Sequence, residues 1–157
     1  MSKKAKGMAL EKAINNTNLE YRKLGKAIIV KFPTPFLITS KGLIPQQAIC
    51  DYIGCYKVGS LAVPINFDAK ECGSTTSFPF ANIKDHQLLY LTLCHNIGAK
   101  SSILVHFTKL NLYYMIPTFE INKILETGRK SIKISEMKSE WQIKNIGDYL
   151  NILCEII

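Results

Sequence analysis

Core-compatible residues recur at three- and four-residue steps from Met8 onward: Leu10, Ile14, Thr17, Tyr21 and Leu24. On a helix these positions form one stripe, so residues 8–24 are predicted to be an amphipathic helix with that stripe buried. Gly25 is a natural terminator. A second stripe beside it, Glu11, Asn15, Asn18 and Arg22, is polar. It is either the wet face of the helix or a set of groups suited to a phosphate and metal site. The period then changes. Residues 26–32 are β-branched and strand-prone, until Pro33-Thr34-Pro35 stops the ladder. Residues 36–39 read as a further short strand. Residues 40–47, with Gly42 and Pro45, read as a loop or a short protrusion.

Residues 51–70 form the centre of the pattern. Two β-prone runs flank Gly59, the signature of a hairpin with a short loop. On the second run Leu61, Val63, Ile65 and Phe67 are apolar, while Asn66, Asp68 and Lys70 are polar. Side chains alternate along a strand, so Asp68 and Lys70 share one face and the apolar set packs on the other. Asp51, on the partner strand, can reach the same face. Pro64 demands an edge position, a bulge, or a strand that starts only at Ile65. Two carboxylates and an ammonium converging at a strand end make a hard-oxygen site suited to Mg²⁺. The Lys can orient water and stabilise charge building on a phosphate. An Asp-x-Lys is equally what an ordinary ion pair on a solvated strand looks like, and such pairs contribute little.

Downstream, residues 71–80 read as a polar loop. Asn82 offers a helix N-cap with Asp85 as its capping-box partner. The helix then runs from Ile83 to about Asn96, burying Leu88, Leu91 and Leu93 or Cys94, with Gln87 near its start and Gly98 as its stop. Residues 101–107 and 112–117 read as a hairpin turning at Lys109-Leu110-Asn111. Residues 119–126 read as a short helix, 128–132 as a basic loop, and 141–157 as an amphipathic segment packing on a sheet. No repeat, low-complexity tract or interdomain linker interrupts the chain. The expectation is therefore a basic, disordered tail at 1–7 and one domain from 8 to 157.

The net charge of +8 is unevenly placed. Residues 1–31 hold Lys3, Lys4, Lys6, Lys12, Arg22, Lys23, Lys26 and Lys31 against Glu11 and Glu20, which is +6 of that total. A basic N-terminal fifth suits a polyanion, nucleic acid first among them, although Lys3 to Lys6 alone would also fit a solubilising tail. The five cysteines, Cys50, Cys55, Cys72, Cys94 and Cys154, are odd in number and no secretory signal is evident, so reduced cytosolic thiols are expected. Cys50, Cys55 and Cys72 with His86 would be the zinc alternative, but no Cys-x-x-Cys pair supports it. No apolar run is long enough to span a membrane.

Several segments, taken in order, resemble one family. They are Gly7-Met8-Ala9-Leu10-Glu11, Asn15-x-Thr17-Asn18-x-x-Tyr21, Lys31-Phe32-Pro33-Thr34-Pro35, Asp51-Tyr52-x-Gly54-x-Tyr56, Phe67-Asp68-Ala69-Lys70-Glu71, Ser77-Phe78-Pro79 and Asn82-Ile83-x-x-His86-Gln87. This ordered set, from Gly7 to about Lys133, resembles the RecU-type Holliday junction resolvases. The resemblance implies an α/β fold with a mixed β-sheet flanked by helices, the restriction-endonuclease-like PD-(D/E)xK core. It implies a cytoplasmic homodimer that cuts four-way DNA junctions with Mg²⁺, or Mn²⁺ in its place, in recombination and repair, with recombination proteins as further partners. Carried over by position, Asp51 and Asp68 would be metal ligands, with the Ala69 carbonyl as a further ligand. Lys70 would be the catalytic lysine, Glu11 the N-terminal helix carboxylate and Gln87 the glutamine after the catalytic strand. From charge placement rather than by position, Lys3, Lys4, Lys6, Arg22, Lys23, Lys26 and Lys31 are the expected DNA contacts.

The chain departs from the family in three places. Asp68 stands where the family usually has glutamate. Ile49-Cys50 stands where small hydroxylated residues are usual. The segment between Pro35 and Asp51, which in the family forms a projecting stalk that contributes to junction recognition, is short here. Two other readings stay open on these residues: a less selective nuclease of the same superfamily, and a relative that binds DNA without cutting it. A homodimer would draw its interface from apolar residues near the hairpin, including Phe36, Leu37, Ile38, Leu43, Ile44 and Ile49, although most of these would equally fill a monomer core.

Overall fold

The computed structural model describes residues 3–151, with side chains from Met8 onward. Cys154 and residues 152–157 of the expected terminal segment lie outside the described residues. The strands, in chain order, are β1 (Ala27–Lys31), β2 (Phe36–Thr39), β3 (Gly42–Pro45), β4 (Tyr52–Val58) and β5 (Leu61–Cys72). They continue as β6 (Ser77–Pro79), β7 (Lys100–Phe107), β8 (Leu112–Pro117), β9 (Ser131–Lys133) and β10 (Gln142–Ile143). The helices are α1 (Lys3–Lys23), α2 (Asp85–Asn96) and α3 (Thr118–Glu126). Six strands form one mixed sheet in the order β1-β4-β5-β7-β8-β10. Only β5 and β7 pair in parallel, because the chain between them crosses over through α2. This is the expected α/β architecture of a mixed sheet flanked by helices.

Side-chain alternation gives the sheet two faces, and both are covered in its middle. On one face Ile65, Phe67, Leu104 and Met115 pack against Leu10, Ile14 and Tyr21 of α1. On the other, Ile103, Val105 and Ile116 pack against Leu91 of α2 and Ile121 of α3. The expected α1 stripe is buried at Leu10, Ile14, Thr17 and Tyr21, while Leu24 lies past the helix end and is exposed. The helix begins at Lys3 rather than Met8, so the segment expected as a disordered tail is helical from Lys3. Gly25, at φ +65°, reverses the chain into β1.

Asn18, expected on the wet stripe, is buried, and its Oδ1 accepts from the Tyr149 hydroxyl. The Leu150 N–H donates to Tyr21 Oη at 3.1 Å, and Thr17 Oγ1 donates to the Ile146 carbonyl at 3.2 Å. Three side chains of α1 thus clasp the C-terminal segment, which packs on the sheet as expected.

The central hairpin turns through Gly59 at φ +59°, with Val58 opposite Leu61. Pro64 is an edge residue: β7 joins β5 only from Ile65 onward, so the missing N–H of Pro64 has no strand to serve. Gly54 permits close backbone approach, since a Cβ there would lie 2.1 Å from the Ile28 carbonyl oxygen. The α2 start differs from the expectation. Asn82 ends a 3₁₀ turn (Phe80–Asn82), Lys84 is the N-cap, and no side chain caps the helix. Leu91 and Cys94 are buried as expected, whereas Leu93 is exposed. Two expected loops contain strands, β6 and β9, which pair with each other. The residue 40–47 protrusion is a hairpin, β2 with β3, exposed along nearly its whole length.

Candidate active site

The register of β4 and β5 sets the acidic pair. Tyr52 lies opposite Phe67, which brings Asp51, one residue before β4, beside Asp68. The two strands are tied there by their acidic side chains. The Asp51 N–H donates to Asp68 Oδ1 at 2.8 Å, and the Ala69 N–H donates to Asp51 Oδ2 at 2.9 Å. Asp68 and Lys70 share a face, as alternation predicts, and Lys70 Nζ lies 2.8 Å from Asp68 Oδ2. Lys70 Nζ also donates to Gln87 Oε1 at 2.9 Å, from the first turn of α2.

This is not a solvated ion pair. Asp68 is fully buried and Gln87 nearly so, because α2 lies over this face of β5. The face expected to be merely polar is therefore an interior one. Burial, together with the Asp68 charge, raises the Asp51 carboxyl above the usual aspartate range; the Ala69 N–H and Lys70 oppose that shift. Asp68 Oδ2 has the ion pair with Lys70 but no hydrogen bond of good geometry. A buried, incompletely satisfied carboxylate oxygen facing a second carboxylate suits a divalent cation. Asp51, Asp68 and the Ala69 carbonyl offer the hard oxygens that Mg²⁺ takes in small number while keeping water. Among the described residues, no three His, Cys, Asp or Glu side chains converge on one point, so the acidic pair is an open site rather than a closed cage. The zinc set is likewise not assembled: His86 Nε2 is 3.1 Å from the Ala48 carbonyl oxygen, and Cys50 and Cys72 are core residues.

Glu11 approaches the same end of the sheet. It is ion-paired with Lys31, at the end of β1, and its charge is felt by Asp51 and Tyr52. It is thus close to the acidic pair but engaged by a lysine. That pairing also orients the basic residues. The N-terminal turns of α1, with Lys3, Lys4 and Lys6, extend from the Lys31 end of β1; their side chains lie outside the described residues. Arg22, Lys23 and Lys26 are at the opposite end, where the chain reverses, and all are exposed. Lys23 pairs with Glu20 at 2.7 Å. The expected DNA-binding set is therefore split between the two ends of β1, roughly 13 Å apart at 3.3 Å per strand residue.

Two features lay beyond the sequence reading. Tyr52 stacks on Phe67 with ring centroids 4.8 Å apart, and burial holds its phenol well above the ordinary value. Its place one residue after Asp51, on the core face of β4, was the only signal. Cys50 occupies the position of the family's hydroxyl, yet its Sγ donates to the Tyr52 carbonyl at 3.5 Å from a fully buried position. Burial and the neighbouring Asp68 push this thiol up to about 12. Fully buried and with its S–H directed to the Tyr52 carbonyl, it does not present a hydroxyl-like donor toward phosphate.

Comparison with known proteins places the chain in a family. The family model described as "RecU: Recombination protein U" matches residues 5–156. The chain is 30% identical to "Holliday junction resolvase RecU" of Pediococcus pentosaceus, over 97% of this chain and 84% of that protein. It is 33% identical to the protein of that name from Staphylococcus carnosus, over 85% of this chain and 70% of the relative. The same-named protein of Lactococcus lactis subsp. lactis is also 33% identical, over 85% of this chain and 67% of its own length. With the family model matching nearly the whole length and relatives 30% and 33% identical over most of the chain, the chain belongs to the RecU family of recombination proteins.

Proposed function

We propose that this protein is a metal-dependent endonuclease that resolves four-way DNA junctions during recombination, acting in the cytoplasm as a homodimer. The observation that carries the reading is the buried Asp51–Asp68–Lys70–Gln87 constellation at one end of α2. Asp51, Asp68 and the Ala69 carbonyl would hold Mg²⁺, which supplies Lewis-acid activation of water and neutralises charge on the scissile phosphate. Lys70 would orient the attacking water and stabilise charge on the phosphate, a reading supported by the 2.9 Å hydrogen bond through which Gln87 holds its ammonium. Asp68 is held by the Asp51 N–H, so neither carboxylate needs to reorganise when substrate arrives. Lys31 is positioned to meet a phosphate at the mouth, once it exchanges Glu11 for DNA.

Dimerisation is supported by exposed apolar surface. The face of the sheet that α2 covers in its middle is bare at its edge, where Ile28 and Val30 of β1 are exposed. Phe36, Leu37, Ile38, Leu43 and Ile44 of the hairpin, and Leu89, Leu93 and Ile97 on and just after α2, are exposed too. These exposed apolar residues are the material from which such an interface would be built. Matched nicks on two strands related by a twofold axis need two such sites, which a C₂ dimer supplies. A stable interface should bury more than about 1,000 Å² with an apolar centre. Sedimentation equilibrium at micromolar concentration is expected to return a dimer. A species that stays monomeric even on junction DNA would remove the paired-nick mechanism.

The short β2–β3 hairpin, four residues per strand, favours a second reading, a nuclease of lower junction selectivity. Cleavage of four-way, flapped and linear DNA in parallel with Mg²⁺ separates the two. Symmetric nicks confined to the four-way substrate support the resolvase. Comparable cutting of all three supports the second reading, and binding without cutting refutes both.

A further inference from the structure

At the end of α2 opposite Gln87, the helix, the start of β7 and the start of α3 enclose a cavity of about 230 Å³. His95, Lys100, Ser101, Ser102 and Phe119 line it. It is distinct from the acidic site. Ser101 shares a face with Asp68 but sits two residues lower in the register, about 7 Å along the strands, and His95 lies about 12 Å along α2 from Gln87.

Three observations give the cavity anion chemistry. The nine-residue α3 enters through Pro117, and no side chain caps its first N–H groups. A helix end of this kind presents donors and partial positive charge. Ser101 lines the cavity at only 3% exposure, and its Oγ has no partner. A buried hydroxyl is costly to leave unsatisfied, and Ser101 facing the cavity calls for an acceptor. Lys100 lines the cavity, and positive charge is nearby in Lys123, whose Nζ is 4.9 Å from the Phe119 ring centroid. The one carboxylate of the α3 first turn, Glu120, is tied to Lys138 at 2.7 Å. His95 stacked on Phe119, with centroids 5.2 Å apart, forms an aromatic wall.

We propose that this cavity is a second anion site that takes a phosphate: inorganic phosphate, or the terminal phosphate of a nucleotide. Its oxygens accept from the Ser101 hydroxyl and the first N–H groups of α3. The volume holds far more than one water, whose share of the liquid is about 30 Å³. If the phosphate carries a nucleoside, the His95–Phe119 wall is the surface on which its base stacks.

The test titrates inorganic phosphate, and separately thymidine 5′-monophosphate, into the ¹⁵N-labelled full chain without divalent metal. Backbone amide resonances are followed. Saturable shifts at Ser101, Ser102, Phe119 and Glu120 are expected. Shifts with both ligands assign recognition to phosphate alone. Shifts with the nucleotide only, accompanied by His95, assign it to the nucleotide. Ser101→Ala should weaken binding about tenfold, the loss of one hydrogen bond to a charged group, while Lys70→Ala leaves it unchanged. Should Ser101→Ala fail to fold, the wild-type shifts and the Lys70→Ala control still decide. Absence of shifts at millimolar ligand, or shifts confined to the Asp51–Lys70 end, would overturn the proposal and leave the cavity to water.

Discussion

Replacing Lys70 with methionine keeps the length of the side chain and removes its charge. Asp68 then stands fully buried beside Asp51, with the Asp51 N–H as its remaining hydrogen-bond partner among the described residues. Removing one member of a buried pair typically costs about 3–5 kcal/mol, because the other charge is stranded. Lys70 retains slight contact with water, 16% of its side chain, so the lower end, about 3 kcal/mol, is expected. For a chain of this length that is roughly 6–12 °C in melting temperature. If the cost comes from the stranded charge, adding Asp68→Asn should return about 2 kcal/mol, so the double variant is more stable than the Lys70→Met single one. Mg²⁺ added to the single variant should also recover stability, because the cation offsets the same charge. The assay is thermal unfolding of wild type, both single variants and the double variant, in chelator and again in Mg²⁺. Nicking of a four-way junction, measured alongside, should fall by about a hundredfold or more in every variant lacking Lys70. Strict additivity of the two substitutions, or near-normal nicking without Lys70, would refute the reasoning.

Other expectations follow from the same geometry. Asp51 holds its proton more tightly when folded than unfolded, so its ionised form opposes folding above its raised value. In chelator, wild type should therefore gain stability relative to Asp51→Asn as pH falls from about 7 to about 4; parallel melting curves would contradict this. Tyr149→Phe leaves Asn18 buried without its hydroxyl partner and should cost about 1–3 kcal/mol in urea unfolding, with Lys70 chemistry untouched. Asp68→Glu restores the family's longer carboxylate and should be tolerated, narrowing a preference for Mn²⁺ over Mg²⁺ in the nicking assay; a variant dead with both ions would show a backbone set for aspartate. Replacing Lys3, Lys4 and Lys6 with glutamine should lower the slope of log affinity for junction DNA against log salt by roughly 2–3, and an unchanged slope would remove them from the interface.

Local rules made much of this fold legible. The period of Leu10, Ile14 and Tyr21 gave α1 its buried side, Gly59 gave the hairpin, and Pro64 announced an edge. Legibility failed where the deciding partner is distant in the chain. Asn18 reads as a wet residue until Tyr149, 131 residues away, closes over it. Asp68 and Lys70 read as a surface ion pair because nothing nearby announces that α2 will lie across them, with Gln87 as the third member. Asn82 has the chemistry of a helix cap, but the 3₁₀ turn ending there moves the start of α2 to Asp85. The site motifs were readable only as an ordered set that resembles a family; Asp-x-Lys by itself was ambiguous. Its burial, the fact that separates the two readings, is a property of the assembled layers.

The acidic pair also has a role in how such a chain drifts over generations. Asp51 and Asp68 each receive a backbone N–H from the other's strand, so they splice β4 to β5 as well as serving a reaction. Asparagine at either place can keep that oxygen acceptor; alanine cannot. A lineage released from the need to cut DNA would remain under selection to hold an acceptor at positions 51 and 68, while Lys70 and Gln87 could erode. In descendants of this chain, the lysine and its glutamine are therefore the markers of retained chemistry. An acceptor alone at 51 and 68 marks only a retained fold; aspartate kept at both marks the charge that a metal needs.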